Sequence, residues 1–197
     1  MKGKIAKILQ EYKKRRIISE KLIPSAVLIP LFCSQGQLQG QLHVLFTKRT
    51  EKVNFHQGQI CFPGGTRQLS DSSPLQTALR ESEEEIGLKA EDVEILGELD
   101  DSATLSTNYL ISPFVAFIPY PYPFKADNKE VEQIFSVPLS ALMDETNFRQ
   151  DYYPTEDSAG PGYAYEYEGH IIWGATARIL RQFTELLRSG TESGDLR

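Results

Sequence analysis

The chain holds only two cysteines, Cys33 and Cys61, with three histidines, one tryptophan and two methionines among 197 residues. Two thiols exclude a disulfide scaffold and a cysteine-based zinc site, and His43, His56 and His170 lie far apart in sequence. Long apolar runs are also missing. The longest, Ala26 to Cys33, is eight residues and contains Pro30, against the roughly 20 that span a bilayer. No membrane span is expected. The first twenty residues lack the apolar block of a secretion signal, so a cytoplasmic location is the expectation. Repeats and low-complexity tracts are absent, and 40% hydrophobic with 24% charged residues is the balance of an ordinary globular domain, with or without an appendage. Chemistry must therefore come from oxygen ligands or from acid and base groups.

Positive charge is scarce outside one place. Residues 1 to 22 carry eight Lys or Arg against Glu11 and Glu20, leaving 13 of the 21 basic and 25 of the 27 acidic residues to the remainder, a net −12 within an overall −6. A body that acidic repels nucleic acid, and no nucleic-acid partner is expected; a phosphate-bearing substrate has to be held by local cations or a metal. In the basic arm Ile5, Ile8, Leu9 and Tyr12 recur at helical spacing. Two readings stand: a docked helix with a solvated basic face, or a surface for an anionic partner. We divide the chain into a basic helix or arm at residues 1–24, a main domain at 25–189 and a small, polar, frayed tail at 190–197.

Within the domain, Ala26 to Cys33 reads as a buried strand joined through a Gly-containing hairpin at residues 34–41 to a partner at Leu42 to Lys48. Gln59 to Phe62 reads as a short strand stopped by Pro63-Gly64-Gly65. Further strands are expected at Val93 to Leu99, Leu110 to Ile118, Glu132 to Val137 and Tyr163 to Tyr167, a helical turn at Ala141 to Glu145, and a last amphipathic helix marked by Ile172, Thr176, Ile179, Phe183 and Leu186. Strands, a helix, more strands, then a helix point to an α+β sandwich. The aromatic residues Tyr152, Tyr153, Tyr163, Tyr165, Tyr167 and Trp173 are read as cross-strand packing.

The informative segment is Ser73 to Leu88. Ser73 suits the N-cap, Pro74 the first helical position, Gln76 the capping-box partner and Gly87 a left-handed C-terminal stop. Advancing about 100° per residue from Leu75, the side chains of Leu75, Ala78, Leu79, Ser82 and Ile86 fall within about 60° of one direction, the expected buried stripe. Glu84, Glu81 and Glu85 fall near roughly 180°, 240° and 280°, away from it, and Glu83 points elsewhere. Such carboxylates form either a solvated acidic face or a cation site. They lie in the last two turns, where the helix dipole and their mutual repulsion both disfavour them, and a hard ion such as Mg²⁺ or Mn²⁺ would offset that cost. Pro63-Gly64-Gly65 closes a strand shortly before this helix, so bare backbone carbonyls could approach the same ion.

Gly65 to Leu88, GTRQLSDSSPLQTALRESEEEIGL, resembles the Nudix box, G-x5-E-x7-R-E-U-x-E-E-x-G-U with U apolar, at Arg80-Glu81, Glu84-Glu85, Gly87 and Leu88. It departs at three points. Asp71 stands at the first Glu, eight rather than seven residues separate it from Arg80, and Ser82 replaces the apolar residue. Leu45 to Arg49 and His56 to Gly65 are similar to the signature of the coenzyme A pyrophosphatase subfamily, as are Phe135 to Leu139 and Ile171 to Ala177. The resemblance covers about residues 25 to 187.

What this resemblance implies is an α/β/α sandwich around a mixed sheet and metal-dependent cleavage of a nucleoside diphosphate linked to another group. The subfamily resemblance implies coenzyme A or a derivative as the small-molecule substrate, giving 3′,5′-ADP and 4′-phosphopantetheine. Another linkage such as that in ADP-ribose or NADH is the alternative within enzymes, and a nucleotide-sensing domain without activity the alternative outside them. It implies Mg²⁺ or Mn²⁺ on Glu81, Glu84, Glu85 and the Gly65 carbonyl, with Arg80 orienting a glutamate and Glu84 acting as ligand or base. Glu130 is the candidate for a dedicated base. Lys48, Arg49, His56 and Arg67 are the candidates to meet substrate phosphates, with Lys52 a further one. Without an ion the carboxylates should resist full ionisation, so metal affinity should rise with pH. A homodimer is compatible with the sequence, though no feature of it argues for one.

Overall fold

The computed structural model describes residues 1–34, 40–51, 58–104, 107–150 and 162–192. In chain order the elements are α1 (Lys2–Glu11), β1 (Ile23–Cys33), β2 (Leu42–Arg49), β3 (Ile60–Cys61), β4 (Gly64–Thr66), α2 (Pro74–Ile86), β5 (Glu94–Glu98), β6 (Ser102–Ala103), β7 (Tyr109–Phe117), β8 (Val131–Pro138), α3 (Leu139–Met143), β9 (Phe148–Arg149), β10 (Ala164–Tyr167), β11 (His170–Trp173) and α4 (Gly174–Glu192).

Alternate residues of a strand face opposite ways, and in β1 both sets are apolar. Ala26, Leu28 and Phe32 enter one core with Ala78, Ile86 and Leu88 of the α2 region. Ile29 and Leu31 enter the other with Ile5 and Leu9 of α1 and Ile179, Leu180 and Phe183 of α4. The sheet is therefore covered on both faces, which is why β1 reads as a continuous apolar run. β1 is parallel to β7 and antiparallel to β2 and β4; β5 and β6 extend the β7 side, and β3 and β8 flank β2. This is a mixed sheet in an α+β, α/β/α arrangement, as expected. A separate antiparallel sheet runs β11-β10-β9.

Two features of this topology build the site. One edge of β1 is shared: residues 31–33 pair with β2, while residues 25–27 pair with β4. Between β3 on β2 and β4 on β1 the chain crosses through Pro63, whose carbonyl accepts from the Leu28 N–H at 2.9 Å. Pro63-Gly64-Gly65 thus does more than stop a strand, because its two glycines open the next one. Gly64 has φ +151° and a β-carbon there would lie 2.6 Å from the Val27 Cα, so only glycine passes.

Several expected limits move. Ile172 belongs to β11 and not to the last helix, which begins at Gly174 with φ +68°. The last helix continues to Glu192, past the expected fraying point, because Gly190 packs on Ile8 of α1, closely enough that a β-carbon would fall 2.6 Å from Ile8 Cδ1. The hairpin tip at residues 35–39 and the tyrosines at 152 and 153 lie outside the described residues, although Ser34 and Gln41 close the hairpin base at 3.0 Å. No helix among the described residues is long and apolar enough to cross a membrane.

Candidate active site

Helix α2 starts and stops where its caps require. Ser73 is extended and its Oγ accepts from the Gln76 N–H at 3.2 Å, while Gly87 at φ 69° donates back to Glu83 O. The Gln76 side chain does not reciprocate to Ser73; its Oε1 accepts from the Ser72 N–H at 2.6 Å instead. The buried face is rotated from the expected stripe. Ala78, Ser82 and Ile86 are buried as anticipated, but Leu75 and Leu79 are only half-buried, and Thr77 and Glu85 take their place in the interior. The buried arc therefore centres about 60° away from Leu75, on the side that carries Glu81 and Glu85. These two glutamates face the protein, against β4, and are not on a solvated face.

Arg80 is the most fully bonded side chain here. Its Nε and Nη2 donate to Asp71 Oδ1 and Oδ2, both at 3.0 Å, and Nη2 also to Thr66 O at 3.1 Å. Nη1 reaches Glu81 Oε1 at 2.8 Å and Glu84 Oε2 at 2.9 Å. Asp71 is buried and further accepts from the Gln68 N–H at 2.9 Å and the Thr77 hydroxyl at 3.0 Å. The Arg80 guanidinium holds the Asp71 carboxyl well below the usual carboxylate range despite burial, and the same bonds keep Arg80 charged. Asp71 was legible in the sequence only as a departure from the box. In the fold it is the anchor that aims Arg80 at the glutamates.

Glu85 is 4% exposed, accepts from the Gly64 N–H at 3.2 Å and lies 3.5 Å from Arg49 Nη1. Burial pushes its carboxyl up to about 8; the Gly64 N–H and Arg49 oppose this, while Glu81 and Glu130 add to it. Burial also raises Glu81, against the pull of Arg80, with Glu84 and Glu130 contributing. A β-carbon on Gly65 would fall 2.5 Å from Glu81 Oε2, so the absence of a side chain at Gly65 makes room for that carboxylate. Beside them the Cys61 thiol is pushed up to about 11 by burial and by Glu85, with Thr47 and Arg49 opposing, and stays neutral.

Glu130 arrives from a loop docked on the C-terminus of α2. The last carbonyls of a helix lack partners within it; here Asp127 N–H donates to Glu85 O and Lys125 N–H to Ile86 O, each at 2.9 Å. Thr50 N–H then holds Glu130 O at 2.9 Å, and Glu130 Oε2 lies 3.4 Å from Arg49 Nη2. Glu81, Glu85, Glu130 and Arg49 are thereby brought together.

Other expected residues are placed differently. Glu84 is turned outward and paired with Arg80, its side chain 56% exposed. Lys48 directs its ammonium to Glu132 at 3.0 Å. Arg67 donates through Nη2 to the Asp71 carbonyl at 3.1 Å, bracing the loop before α2. His56 and Lys52 lie outside the described residues. Among the described residues no three acidic, histidine or cysteine side chains converge as a ready-made chelate. The donor set still fits a hard dication. A buried Glu85 and a half-buried Glu81 beside a glycine strand would supply two carboxylates and leave the other ligand positions to water and phosphate oxygens, as Mg²⁺ and Mn²⁺ favour on phosphate substrates.

The molecule is a mixed sheet between helical layers, with a capped helix presenting carboxylates to a Gly-Gly strand. The chain belongs to the Nudix family, whose NUDIX domain model matches residues 22–157; it is accordingly a Nudix hydrolase acting on pyrophosphate bonds, a class that generally uses divalent metal ions. The Nudix hydrolase NudL of Photorhabdus laumondii is 34% identical over 161 residues, covering 82% of this chain and 83% of its own. Among solved structures, a MutT/nudix family protein of Enterococcus faecalis superposes with a TM-score of 0.56 at 16% identity, over 91% of this chain and 66% of that one. One of Listeria innocua gives 0.52 at 17%, over 89% and 98%. At these identities the structures speak to the fold alone.

Proposed function

We propose that this Nudix hydrolase cleaves the diphosphate of coenzyme A or its derivatives, releasing 3′,5′-ADP and 4′-phosphopantetheine or its acyl form. One observation carries the reading. The two stretches that resemble the coenzyme A pyrophosphatase signature, Leu45 to Arg49 and His56 to Gly65, converge on the box through Arg49, 3.5 Å from Glu85, and the Gly64 N–H, 3.2 Å from the same carboxylate. Residues belonging to the subfamily resemblance and residues belonging to the general Nudix resemblance thus form one cluster.

In this mechanism Glu81 and Glu85, with the Gly65 carbonyl, would hold Mg²⁺ or Mn²⁺. When bound, the ion supplies charge neutralisation for the diphosphate and acidifies the attacking water. Glu130 would accept the proton of that water, being exposed on its loop and near enough to add to the upward shifts of Glu81 and Glu85. Arg80, immobilised by Asp71, fixes the Glu81 carboxylate, and Arg49 meets a phosphate of the substrate. Such positioning matters because misplacement of a catalytic group by about 1 Å can cost on the order of 10² in rate.

Incubation with Mg²⁺ or Mn²⁺ and, separately, coenzyme A, ADP-ribose, NADH and diadenosine polyphosphates, with products identified by mass, tests this. Release of 3′,5′-ADP from coenzyme A is expected. Inert coenzyme A beside turnover of another compound removes the substrate assignment and leaves the family standing.

A further inference from the structure

Two arginines meet the glutamates of this site, and they are held in opposite ways. Arg80 donates from all three nitrogens at 2.8 to 3.1 Å. Arg49 makes only long contacts, 3.5 Å to Glu85 and 3.4 Å to Glu130, and its buried Nε has no hydrogen-bond partner among the described residues. The neutral Cys61 thiol alongside does not replace an oxygen acceptor. A buried guanidinium donor without an acceptor is costly, so Arg49 rests in a place it does not fit well, while its charge compensates two carboxylates.

We propose that Arg49 is a competing counter-ion. Its guanidinium and a divalent cation compete for Glu85, so that each weakens the other's hold, and the displaced guanidinium is taken up by a phosphate of the substrate, whose oxygens supply the acceptors its donors lack. This inference rests on the metal-dependent diphosphatase reading, though not on coenzyme A as the substrate. It makes Arg49 weaken metal binding and strengthen substrate binding, and removing its charge must move the two in opposite directions.

The test is a Mn²⁺ titration followed by electron paramagnetic resonance without substrate, on the wild type, R49Q, R49K and K48Q, with thermal melts to check the fold. R49Q should bind Mn²⁺ about three- to tenfold more tightly, as expected when a like charge leaves the site. R49K keeps one charge but cannot span both carboxylates. It should show a smaller gain of the same sign, and it carries the test if R49Q melts below the assay temperature. K48Q, which removes an equal charge paired to Glu132, should stay within about twofold of wild type. At saturating metal, KM for whichever dinucleotide is hydrolysed should rise about tenfold or more in R49Q. Unchanged or weaker Mn²⁺ binding in the Arg49 variants, an equal gain in K48Q, or an unchanged KM overturns the inference. A wild type that binds no Mn²⁺ overturns both it and the metal reading. The linkage without coenzyme A turnover upholds it and removes only the substrate.

Discussion

Glu85 and Asp71 are both buried carboxylates, and their environments give them opposite dependences on pH. Glu85 has a folded value of about 8, above the ordinary 4.5. Between those values the folded protein holds a proton that the unfolded chain has lost, so metal-free stability falls as pH rises across that window. Glu85→Gln should remove this slope. In denaturant melts with chelator it should be more stable than wild type at pH 8, by on the order of 2–4 kcal/mol, and nearly equal at pH 5. Turnover should nevertheless fall by about 10² or more for loss of one preorganised charge; undiminished turnover would mean that Glu85 is not a working ligand. Asp71 is held below the ordinary range by Arg80, so its contribution is complete above its unfolded value near 4 and is lost only as pH falls. Asp71→Asn should therefore destabilise throughout the neutral range, by roughly 2–4 kcal/mol for a broken pair with one buried partner. It should also lower kcat more than it raises KM, because Arg80 loses its anchor and Glu81 its aim. An Asp71→Asn enzyme with wild-type melting and kcat would show that Arg80 needs no such anchor.

At the scale of elements, the ends of α2 were legible in the sequence because caps are local: Ser73, Pro74 and Gly87 each act within a turn. Its rotation was not legible. A helical wheel centred on Leu75 weights apolar side chains, whereas the interior here takes Thr77, bonded to Asp71, and Glu85, bonded to Gly64. A carboxylate buried against a glycine strand leaves no hydrophobic signal. The docking of the 125–130 loop was equally invisible, since it is made by main-chain N–H groups completing the end of α2. Glu130 could be named from its place after the helix, but its proximity to Glu85 depends on those bonds. Lys48 and Arg49, adjacent on β2, part as neighbouring residues of a strand do, and the β2–β8 register shifts between them. The Gly-Gly strand offers a test at this scale. Gly65→Ala would put its methyl against the movable Glu81 carboxylate, so the fold should survive with metal affinity and kcat reduced about tenfold or more. Gly64→Ala would meet the backbone of Ala26 and Val27 at a φ of +151°, and it should lower thermal stability far more than Gly65→Ala does. Equal melting temperatures for the two would refute this division of roles.

For the whole molecule, the uneven charge read from the sequence is resolved by docking. Ile5 and Leu9 of α1 are buried on the sheet and α4, with Leu9 so close to Gly97 that a β-carbon there would fall 2.6 Å from Leu9 Cβ. Two of the basic residues that follow, Lys14 and Arg15, pair with the acidic body. Lys14 pairs with Glu98 and Asp101, both at 2.9 Å, and Arg15 with Asp100 at 2.6 Å. Lys2 pairs with Glu94 at the other end of the arm. Lys2, Lys14 and Arg15 thus pair with the acidic domain on which α1 is docked. Burial alone would raise Asp100, but the Arg15 N–H, the Tyr12 hydroxyl and the Arg15 side chain together hold it below its ordinary value. It stabilises the arm above its unfolded value near 4 and ceases to do so as pH falls further. Deleting the apolar contact and deleting the ionic one should leave different signatures. Leu9→Ala should cost about 2–4 kcal/mol at any ionic strength, from lost burial and the cavity left behind. Asp100→Asn should lower the melting temperature by roughly 2–6 °C in a domain of this size. Most of that loss should persist in 0.5 M NaCl, because Asp100 is buried and two of its three hydrogen bonds come from the Tyr12 hydroxyl and the Arg15 main chain. Lys7→Gln, which breaks only an exposed pair with Glu11 at 4.0 Å, should change nothing measurable. If high salt erased the Asp100→Asn difference, the arm would be held by screened surface charge and not by this buried junction.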